Sequence, residues 1–133
     1  MKTYIKENEG YRSKPYKCTA GKTTIGWGRN LSDKGISEYE ATIMLDSDIN
    51  DASADLRRVF DYEDFETLSF NRKMALTDWM FNCGLRVAYT FKKFIAAIKA
   101  KDWEEAALQL KDSNYYNQVT SRAEKNMDLI RKG

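Results

Sequence analysis

The residues that this sequence lacks limit the chemistry it can perform. There is no histidine, which excludes Ser-His-Asp and Cys-His catalysis, imidazole metal ligands and the usual proton shuttle. Acid–base chemistry must then use carboxylates, cysteine, lysine or tyrosine. Most carboxylates fall on the surfaces of predicted helices, but Glu9 ends a short predicted helix over 3–9, directly before Gly10. A glutamate at a helix end is more often simply solvated, so its position alone assigns it no function.

The two cysteines, Cys18 and Cys83, are too few and too widely spaced for a zinc site. A disulfide between them is not expected because Cys83 falls on an apolar predicted helix, and a reduced compartment of synthesis follows. Two basic residues near Cys18, Lys17 and Lys22, are expected to lower its pKa and favour the thiolate. Neither a metal nor an organic cofactor is predicted.

The first part of the chain predicts a small β lobe. Five of the seven glycines and the only proline, Pro15, lie between residues 10 and 35. Glycines interspersed with Thr, Ile, Trp and Tyr are typical of short strands and tight turns. The range 15–31 is therefore predicted to form a β-hairpin region, with its turn in 19–23 and its second strand in 23–28.

The remainder of the chain predicts helices. A capping box formed by Ser37 and Glu40 begins a helix that is predicted to run to about Phe60. A second helix is predicted to begin at Ser69 and to end at Gly84. It is apolar on most sides, which is typical of the buried centre of a small protein. Shorter helices are predicted over 91–100, 103–111 and 121–132.

Together these elements predict one α+β domain, with a small β lobe on a mostly helical body. A length of 133 residues fits a single domain, and 42% hydrophobic with 32% charged residues is a globular composition. No apolar run approaches the ~20 residues that span a bilayer, so stable membrane insertion is not expected. The ranges 1–35 and 85–133 are net basic. If the two ends come together, they form a basic face that would attract an anionic polymer such as nucleic acid or bacterial cell wall, but a solvated basic surface with no partner explains the charge equally well.

Two groups of short motifs follow one another along the chain. The first group is E-G-Y-R at 9–12, Y-K-C-T-A-G at 16–21 and T-I-G-W-G at 24–28. The second group is F-N-C-G at 81–84, K-D-W-E-E-A-A at 101–107 and Y-N-Q at 116–118, followed by R-A at 122–123. In order and spacing they resemble the T-even-type bacteriophage lysozymes, the endolysins of glycoside hydrolase family 24. The resemblance covers nearly the whole chain, which is shorter than the T-even enzyme after Leu31.

The resemblance implies a lysozyme-like fold and hydrolysis of the β-1,4 bond between N-acetylmuramic acid and N-acetylglucosamine in peptidoglycan. It makes Glu9 the general acid, Thr24 a residue that helps to hold the attacking water, and Arg122 the partner of the Glu9 carboxyl. A general acid must be protonated, and partial burial favours that state, so Glu9 is expected to be partly buried. Trp27, Trp79 and Trp103 are expected to pack rather than to bind sugar. The substrate-binding residues carried over are Tyr16, Asn30, Phe81, Asn82 and Gln109.

Two positions depart from the commonest pattern of that family. Cys18 stands where most members have aspartate, and three alternatives follow. Cys18 orients or activates the water together with Thr24; or it only fills space while Glu9 performs both proton steps, which permits lytic transglycosylase chemistry; or the protein has lost catalysis and only binds cell wall. Arg29 stands where many members have histidine, which implies a supporting role and a donor near the anionic glycan.

The expected partner is the glycan strand of peptidoglycan, bound by a monomer. Nucleic acid is not expected because no recognition motif accompanies the basic chain ends. No apolar run near the start resembles a signal peptide, so accumulation in the host cytoplasm is expected. A separate holin-type protein would then permeabilise the inner membrane and give access to the wall in the periplasm.

Overall fold

A computed structural model describes all residues 1–133. Nine helices and one three-stranded antiparallel sheet confirm the predicted α+β class. The chain divides into two compact units, Met1–Met44 and Leu45–Gly133. The organisation of 1–133 as a single domain stays a prediction. None of the helices is both long enough and apolar enough to cross a lipid bilayer.

The first unit contains one helix, the sheet and the start of a second helix. Its elements are α1 (Lys2–Glu9), β1 (Arg12–Lys17), β2 (Thr23–Gly26), β3 (Arg29–Asn30) and the beginning of α2 (Glu38–Val59). The sheet begins at Arg12, earlier than predicted, and has a third strand where the sequence predicts only a hairpin. The reason lies in the turn after β2, where Gly26 and Gly28 adopt positive φ values of 66° and 81°. These left-handed conformations, which glycine adopts readily, reverse the chain so that β3 pairs with β2.

The start of α2 carries the predicted capping box. The Ser37 N–H donates to Oε1 of Glu40 at 3.0 Å, and the Glu40 N–H donates to Oγ of Ser37 at 3.1 Å. Two of the free N–H groups at the helix start are thereby satisfied. The helix ends at Val59, one residue before the predicted end.

The second unit is helical. After the C-terminal part of α2 it contains α3 (Tyr62–Glu66), α4 (Phe70–Cys83), α5 (Leu85–Ala88), α6 (Lys92–Lys99), α7 (Trp103–Lys111), α8 (Asn114–Gln118) and α9 (Thr120–Lys132). Helix α4 is capped by Ser69, whose Oγ accepts the Arg72 N–H at 3.2 Å, and it ends at Gly84 with a φ of 75°. The sequence does not predict α3, α5 or α8, because helices of four or five residues show no measurable periodicity.

Helix α4 forms the centre of the second unit, as predicted. Trp79 is fully buried and meets the rings of Phe94 and Phe91 edge-on, with centroids 4.9 Å and 5.5 Å away. Each such buried side chain stabilises the fold by about 1.5–3 kcal/mol. The largest other fully buried side chains of this core are Phe60, Leu56, Leu76, Met80, Ile98, Leu110 and Ile130.

Candidate active site

The carboxyl group of Glu9 lies against the backbone of the turn between β2 and β3. Helix α1 ends at Gly10, whose N–H donates to the Lys6 carbonyl at 2.9 Å. A Cβ atom placed on Gly28 would stand only 2.6 Å from Oε2 of Glu9 and 2.9 Å from its Cδ. The carboxyl therefore occupies the space that any residue other than glycine would fill at position 28.

The structure corrects the expectation that Glu9 is partly buried. Every residue of α1 is exposed, Glu9 included. The physical reason is the composition of the helix, whose only large apolar side chains, Tyr4 and Ile5, are themselves 71% and 47% exposed. A helix with so little apolar surface has no face to bury.

Three of the predicted site residues stand in one row across the sheet. The register pairs Tyr16 of β1 with Thr24 of β2, and Thr24 with Asn30 of β3. Directly opposite residues of antiparallel strands project from the same face. The row therefore presents a phenol, a hydroxyl and an amide to one side of the sheet.

The Thr24 and Asn30 side chains are fixed by hydrogen bonds within this unit. Thr24 is 4% exposed, and its hydroxyl donates to the Lys22 carbonyl at 3.0 Å. The Asn30 amide donates to Oδ2 of Asp33 at 2.9 Å, and its oxygen accepts the Asp33 N–H at 3.0 Å. Both side chains are thus held in place before any ligand binds.

Cys18 follows β1 and is a free, partly exposed thiol. The backbone N–H groups of Lys22 and Ala20, and to a smaller extent the Thr24 hydroxyl, lower the pKa of Cys18, while partial burial opposes them. Hydrogen bonds to the charged form favour that form. The loop after β1 therefore stabilises a Cys18 thiolate.

The direction of this pKa shift agrees with the sequence prediction, but its cause does not. The prediction relied on the charges of Lys17 and Lys22. In the structure Nζ of Lys17 donates to Oγ1 of Thr23 at 2.7 Å, and Nζ of Lys22 pairs with Oδ1 of Asp33 at 3.2 Å. Both ammonium groups are engaged elsewhere. Backbone N–H groups, rather than the charges of the two lysines, lower the pKa of Cys18.

Arg29 has a structural partner rather than a free guanidinium. Its Nη2 pairs with Oε2 of Glu40 at 2.5 Å, and its Nη1 donates to the Gly35 carbonyl at 3.2 Å. Arg29 holds the pKa of Glu40 down to about 2, with further help from the backbone and hydroxyl of Ser37. Arg29 thus joins β3 to the start of α2. Its role as a donor near the glycan stays a prediction.

In the second unit, Asn82 and Gln109 line one cleft of about 630 Å³. Asn82 is an exposed side chain one residue before the end of α4, and Gln109 lies on α7 with its amide donating to Oε1 of Glu105 at 2.7 Å. The buried ring of Tyr115 closes part of the same cleft. Amide donors and acceptors beside aromatic surface suit a sugar ligand.

Phe81 lies apart from that cleft. It is 40% exposed and lines a separate, mostly apolar groove of about 530 Å³ on the other side of α4. Arg122 lines this groove too, with its guanidinium carbon 5.9 Å from the centroid of the Phe81 ring. Neighbouring residues on a helix point about 100° apart, which separates Phe81 from Asn82.

Arg122 is bound to a carboxylate that the sequence analysis did not consider. Asp78 of α4 pairs with Arg122 within the helical unit, Nε to Oδ2 at 2.8 Å and Nη2 to Oδ1 at 2.5 Å. The pairing with Glu9 that the resemblance implies stays a prediction. Asn126 donates to the same Oδ2 at 2.8 Å and to the hydroxyl of the buried Tyr115 at 2.9 Å. Arg122 and Asn126 lower the pKa of Asp78 against the opposing effect of burial. The carboxylate therefore fixes Arg122 in one orientation.

Sequence reasoning missed Gly28, which lies against Glu9 in the first unit, and Asp78, which pairs with Arg122 in the second unit. Asp78 could have been noticed as the only acidic residue of α4, within the apolar run from Met74 to Phe81. No pattern in the sequence distinguishes Gly28 from Gly26, because their different surroundings arise only when Glu9 meets the turn.

The three tryptophans divide between core and surface. Trp79 is buried, and Trp103 is partly buried beneath Arg72, whose guanidinium carbon is 3.8 Å from its ring centroid. Trp27 is 43% exposed and packs against Tyr11 at 5.3 Å between centroids, with Nζ of Lys6 4.8 Å from its ring. Trp27 therefore packs as expected, but at the surface rather than in the core.

No three Cys, Asp or Glu side chains are grouped so that they could hold a metal ion.

Comparison with known proteins finds similarity along most of the chain. A protein-family model described as phage lysozyme matches residues 6–127. The chain is 27% identical over 161 residues to a protein named probable T4-type lysozyme 2 of Dictyostelium discoideum, covering 100% of this chain and 94% of that protein. It is 24% identical over 159 residues to the pre-baseplate central spike protein Gp5 of Enterobacteria phage T4, covering 100% of this chain and 28% of that protein. It is 29% identical over 109 residues to the endolysin of Acyrthosiphon pisum secondary endosymbiont phage 1, covering 79% of this chain and 70% of that protein.

Proposed function

The chain belongs to the phage lysozyme family and is a peptidoglycan-degrading lysozyme, and from this we propose that it hydrolyses the β-1,4 bond between N-acetylmuramic acid and N-acetylglucosamine with Glu9 as general acid. The observation that carries the proposal is the position of Glu9. Its carboxyl is exposed at the end of α1 and lies against Gly28, in the same unit as the Tyr16, Thr24 and Asn30 row.

In the proposed first step, Glu9 donates its proton to the glycosidic oxygen as the bond to that oxygen breaks. An exposed carboxyl is accessible to a polymeric substrate. A bound glycan would displace water from around it, which is the condition under which a carboxylic acid serves as a proton donor. The exposure of Glu9 in the free protein is therefore compatible with this role.

In the proposed second step, water attacks the anomeric carbon and gives a proton to Sγ of Cys18. The lowered pKa of Cys18 supports this role, since the thiolate is the form that accepts a proton. Thr24, which shares the polar surroundings of the thiol, helps to orient the water. After product release the proton on Cys18 passes to solvent and Glu9 is protonated again, which restores the starting state.

The remaining predicted residues are proposed to bind the glycan. Tyr16 and Asn30 are proposed to contact glycan at the sheet of the first unit. Asn82 and Gln109 are proposed to contact glycan in the cleft of the second unit. Phe81 would offer a partly exposed ring to a sugar face from its own groove. Arg122, held by Asp78, would support substrate binding as a fixed cation.

Digestion of purified peptidoglycan, with products read by mass spectrometry, tests the proposal. The wild type should release reducing muramic acid ends, and Glu9→Gln should abolish them while keeping the fold. Glu7→Gln, an exposed glutamate on the same helix, is the matched control and should remain active. Hydrolysis that persists in Glu9→Gln would overturn the role of Glu9.

The same digestion separates the alternatives. Products lighter by one water, as 1,6-anhydro ends, would identify a lytic transglycosylase, in which a hydroxyl of the substrate replaces water. An unchanged rate in Cys18→Ala would reduce Cys18 to a space-filling residue. No products from the wild type, together with retention on insoluble sacculi, would leave only a wall-binding module.

The cellular setting is a further part of the proposal. We propose that the monomeric protein accumulates in the host cytoplasm and reaches the wall after a holin-type protein permeabilises the inner membrane, without itself inserting into that membrane. Fractionation of cells that express the chain alone tests the route, because lysis or periplasmic protein without a permeabilising partner would contradict it. Light scattering behind a sizing column tests the monomer.

A further inference from the structure

The carboxyl group of Glu9 is seated on a glycine. A Cβ atom on Gly28 would lie 2.6 Å from Oε2, 2.9 Å from Cδ and 3.3 Å from Cγ of Glu9. Real Cβ atoms do not approach other heavy atoms this closely, so no residue with a side chain fits at position 28 while Glu9 keeps its position.

Few other contacts hold Glu9. Helix α1 buries no residue, so an apolar face cannot anchor the end that carries the carboxyl. The contacts that hold this end come from Trp27, which precedes Gly28 in the turn. Its ring lies 4.8 Å from Nζ of Lys6 and 5.3 Å from the ring of Tyr11, three residues before and two residues after Glu9. The turn therefore contacts the chain on both sides of Glu9 as well as Glu9 itself.

We propose that the turn formed by Trp27 and Gly28 is the positioning element of the general acid: Trp27 holds the end of α1, and Gly28 leaves the space in which the Glu9 carboxyl rests. The inference depends on the proposed role of Glu9. Neither residue contacts the reacting bond in this scheme, because both act through Glu9.

A side chain added at position 28 is expected to lower the catalytic rate rather than to disturb packing. The group that would clash is the far end of an exposed, flexible side chain. Rotation of Glu9 relieves the clash at little cost to folding, but it moves the carboxyl away from its seat. A displacement of about 1 Å in a catalytic group can lower the rate about 100-fold.

Gly26, the last residue of β2, provides a matched control next to this turn. Gly26 has a φ of 66°, close to the 81° of Gly28, so alanine meets a similar backbone strain at both positions. A Cβ on Gly26 would meet no atom within 4 Å, whereas one on Gly28 would meet Glu9. The two alanine variants therefore differ chiefly in their effect on the Glu9 carboxyl.

The experiment compares Gly28→Ala with Gly26→Ala on soluble, labelled glycan strands of peptidoglycan. We expect similar decreases in the urea midpoint for the two variants. We expect kcat to fall about 100-fold in Gly28→Ala with KM nearly unchanged, and to stay close to wild type in Gly26→Ala. Equal kcat values in the two variants would overturn the positioning role.

A double-mutant cycle tests whether the effect of Gly28 passes through Glu9. Glu9→Asp should lower kcat strongly in the wild type but much less in Gly28→Ala, where the carboxyl is already displaced. Losses that simply multiply would overturn the coupling. Glu9→Gln separates this inference from the proposed function. An active Glu9→Gln variant would contradict both. An inactive Glu9→Gln variant, together with equal kcat values in Gly28→Ala and Gly26→Ala, would contradict only the inference.

The part assigned to Trp27 has its own test. Trp27→Leu should lower kcat and speed hydrogen exchange of the Gly10 amide, which donates to the Lys6 carbonyl at the end of α1. Trp27→Phe retains an aromatic ring for Tyr11 and Lys6 and should restore much of both. Unchanged exchange and unchanged kcat in Trp27→Leu would remove Trp27 from the positioning element.

Discussion

Arg122 and Asp78 form a two-point ion pair, with Nε and Nη2 of the guanidinium on the two carboxylate oxygens at 2.8 Å and 2.5 Å. The pair joins α9 to α4, and the buried Asn126 donates to the same carboxylate. A planar guanidinium held at two points has a fixed orientation. This geometry assigns to Arg122 a partner within the helical unit.

Removal of the Asp78 charge should destabilise the helical unit. Asp78→Asn leaves Arg122 without its counter-ion and Asn126 without a charged acceptor. We expect the free energy of unfolding, measured in urea, to fall by about 1–2 kcal/mol, a modest value because both partners keep partial solvent exposure. Asp128→Asn is the control, since Asp128 pairs with Lys132 on the exposed surface of α9. Equal losses in the two variants would show that the two-point pair adds nothing beyond a surface ion pair.

Acid should weaken the fold partly through the ion pair of Glu40 with Arg29. The folded-state pKa of Glu40 is lowered from 4.5 to about 2, so the unfolded chain binds more protons between these values. The contribution of Glu40 to stability is complete above about pH 4.5 and is lost as the pH falls towards 2. The free energy of unfolding of Glu40→Gln should therefore be less dependent on pH in this window than that of the wild type. Glu38→Gln, which removes a glutamate without an ion pair, should keep the wild-type dependence.

The two cysteines should react at very different rates with thiol reagents. Hydrogen bonds from the Lys22 and Ala20 backbone lower the pKa of Cys18, whereas burial raises the pKa of Cys83 to about 11. Since the thiolate is the reactive form, iodoacetamide at pH 7 should label Cys18 first, as peptide mass spectrometry would show. Thr24→Val should slow this labelling because it removes one hydrogen-bonding group. Faster labelling of Cys83 would contradict the assignment.

The cleft residues should act together in substrate binding. Asn82 and Gln109 line one cleft, whereas Phe81 lines another groove. Asn82→Ala and Gln109→Ala should each raise KM about fivefold, the equivalent of one hydrogen bond, and their combination should be less than multiplicative. The effect of Phe81→Ala on KM should multiply with that of Asn82→Ala or of Gln109→Ala. A multiplicative Asn82 and Gln109 pair would show that the two side chains bind the ligand independently of each other.

Local sequence signals were enough to predict the main helices and the class of the fold. The Ser37 and Glu40 box begins α2, and Ser69 and Gly84 bound α4, because capping depends on side chains within three or four residues of the backbone they satisfy. The motifs at 9–12, 16–21 and 24–28 also fall in one unit of the structure. Such features need no information about distant parts of the chain.

The sequence by itself determined the elements, the family resemblance and the set of candidate residues, including the Tyr16, Thr24 and Asn30 that one row of the sheet brings together. Only the tertiary structure decided which partners they have. Asp78 and Arg122 are 44 positions apart and meet because α4 packs on α9, and Glu9 reaches Gly28 because the chain reverses at the turn. Local propensity extends over a few residues, whereas such contacts depend on how whole elements pack, so no pattern in the sequence distinguishes Gly28 from Gly26.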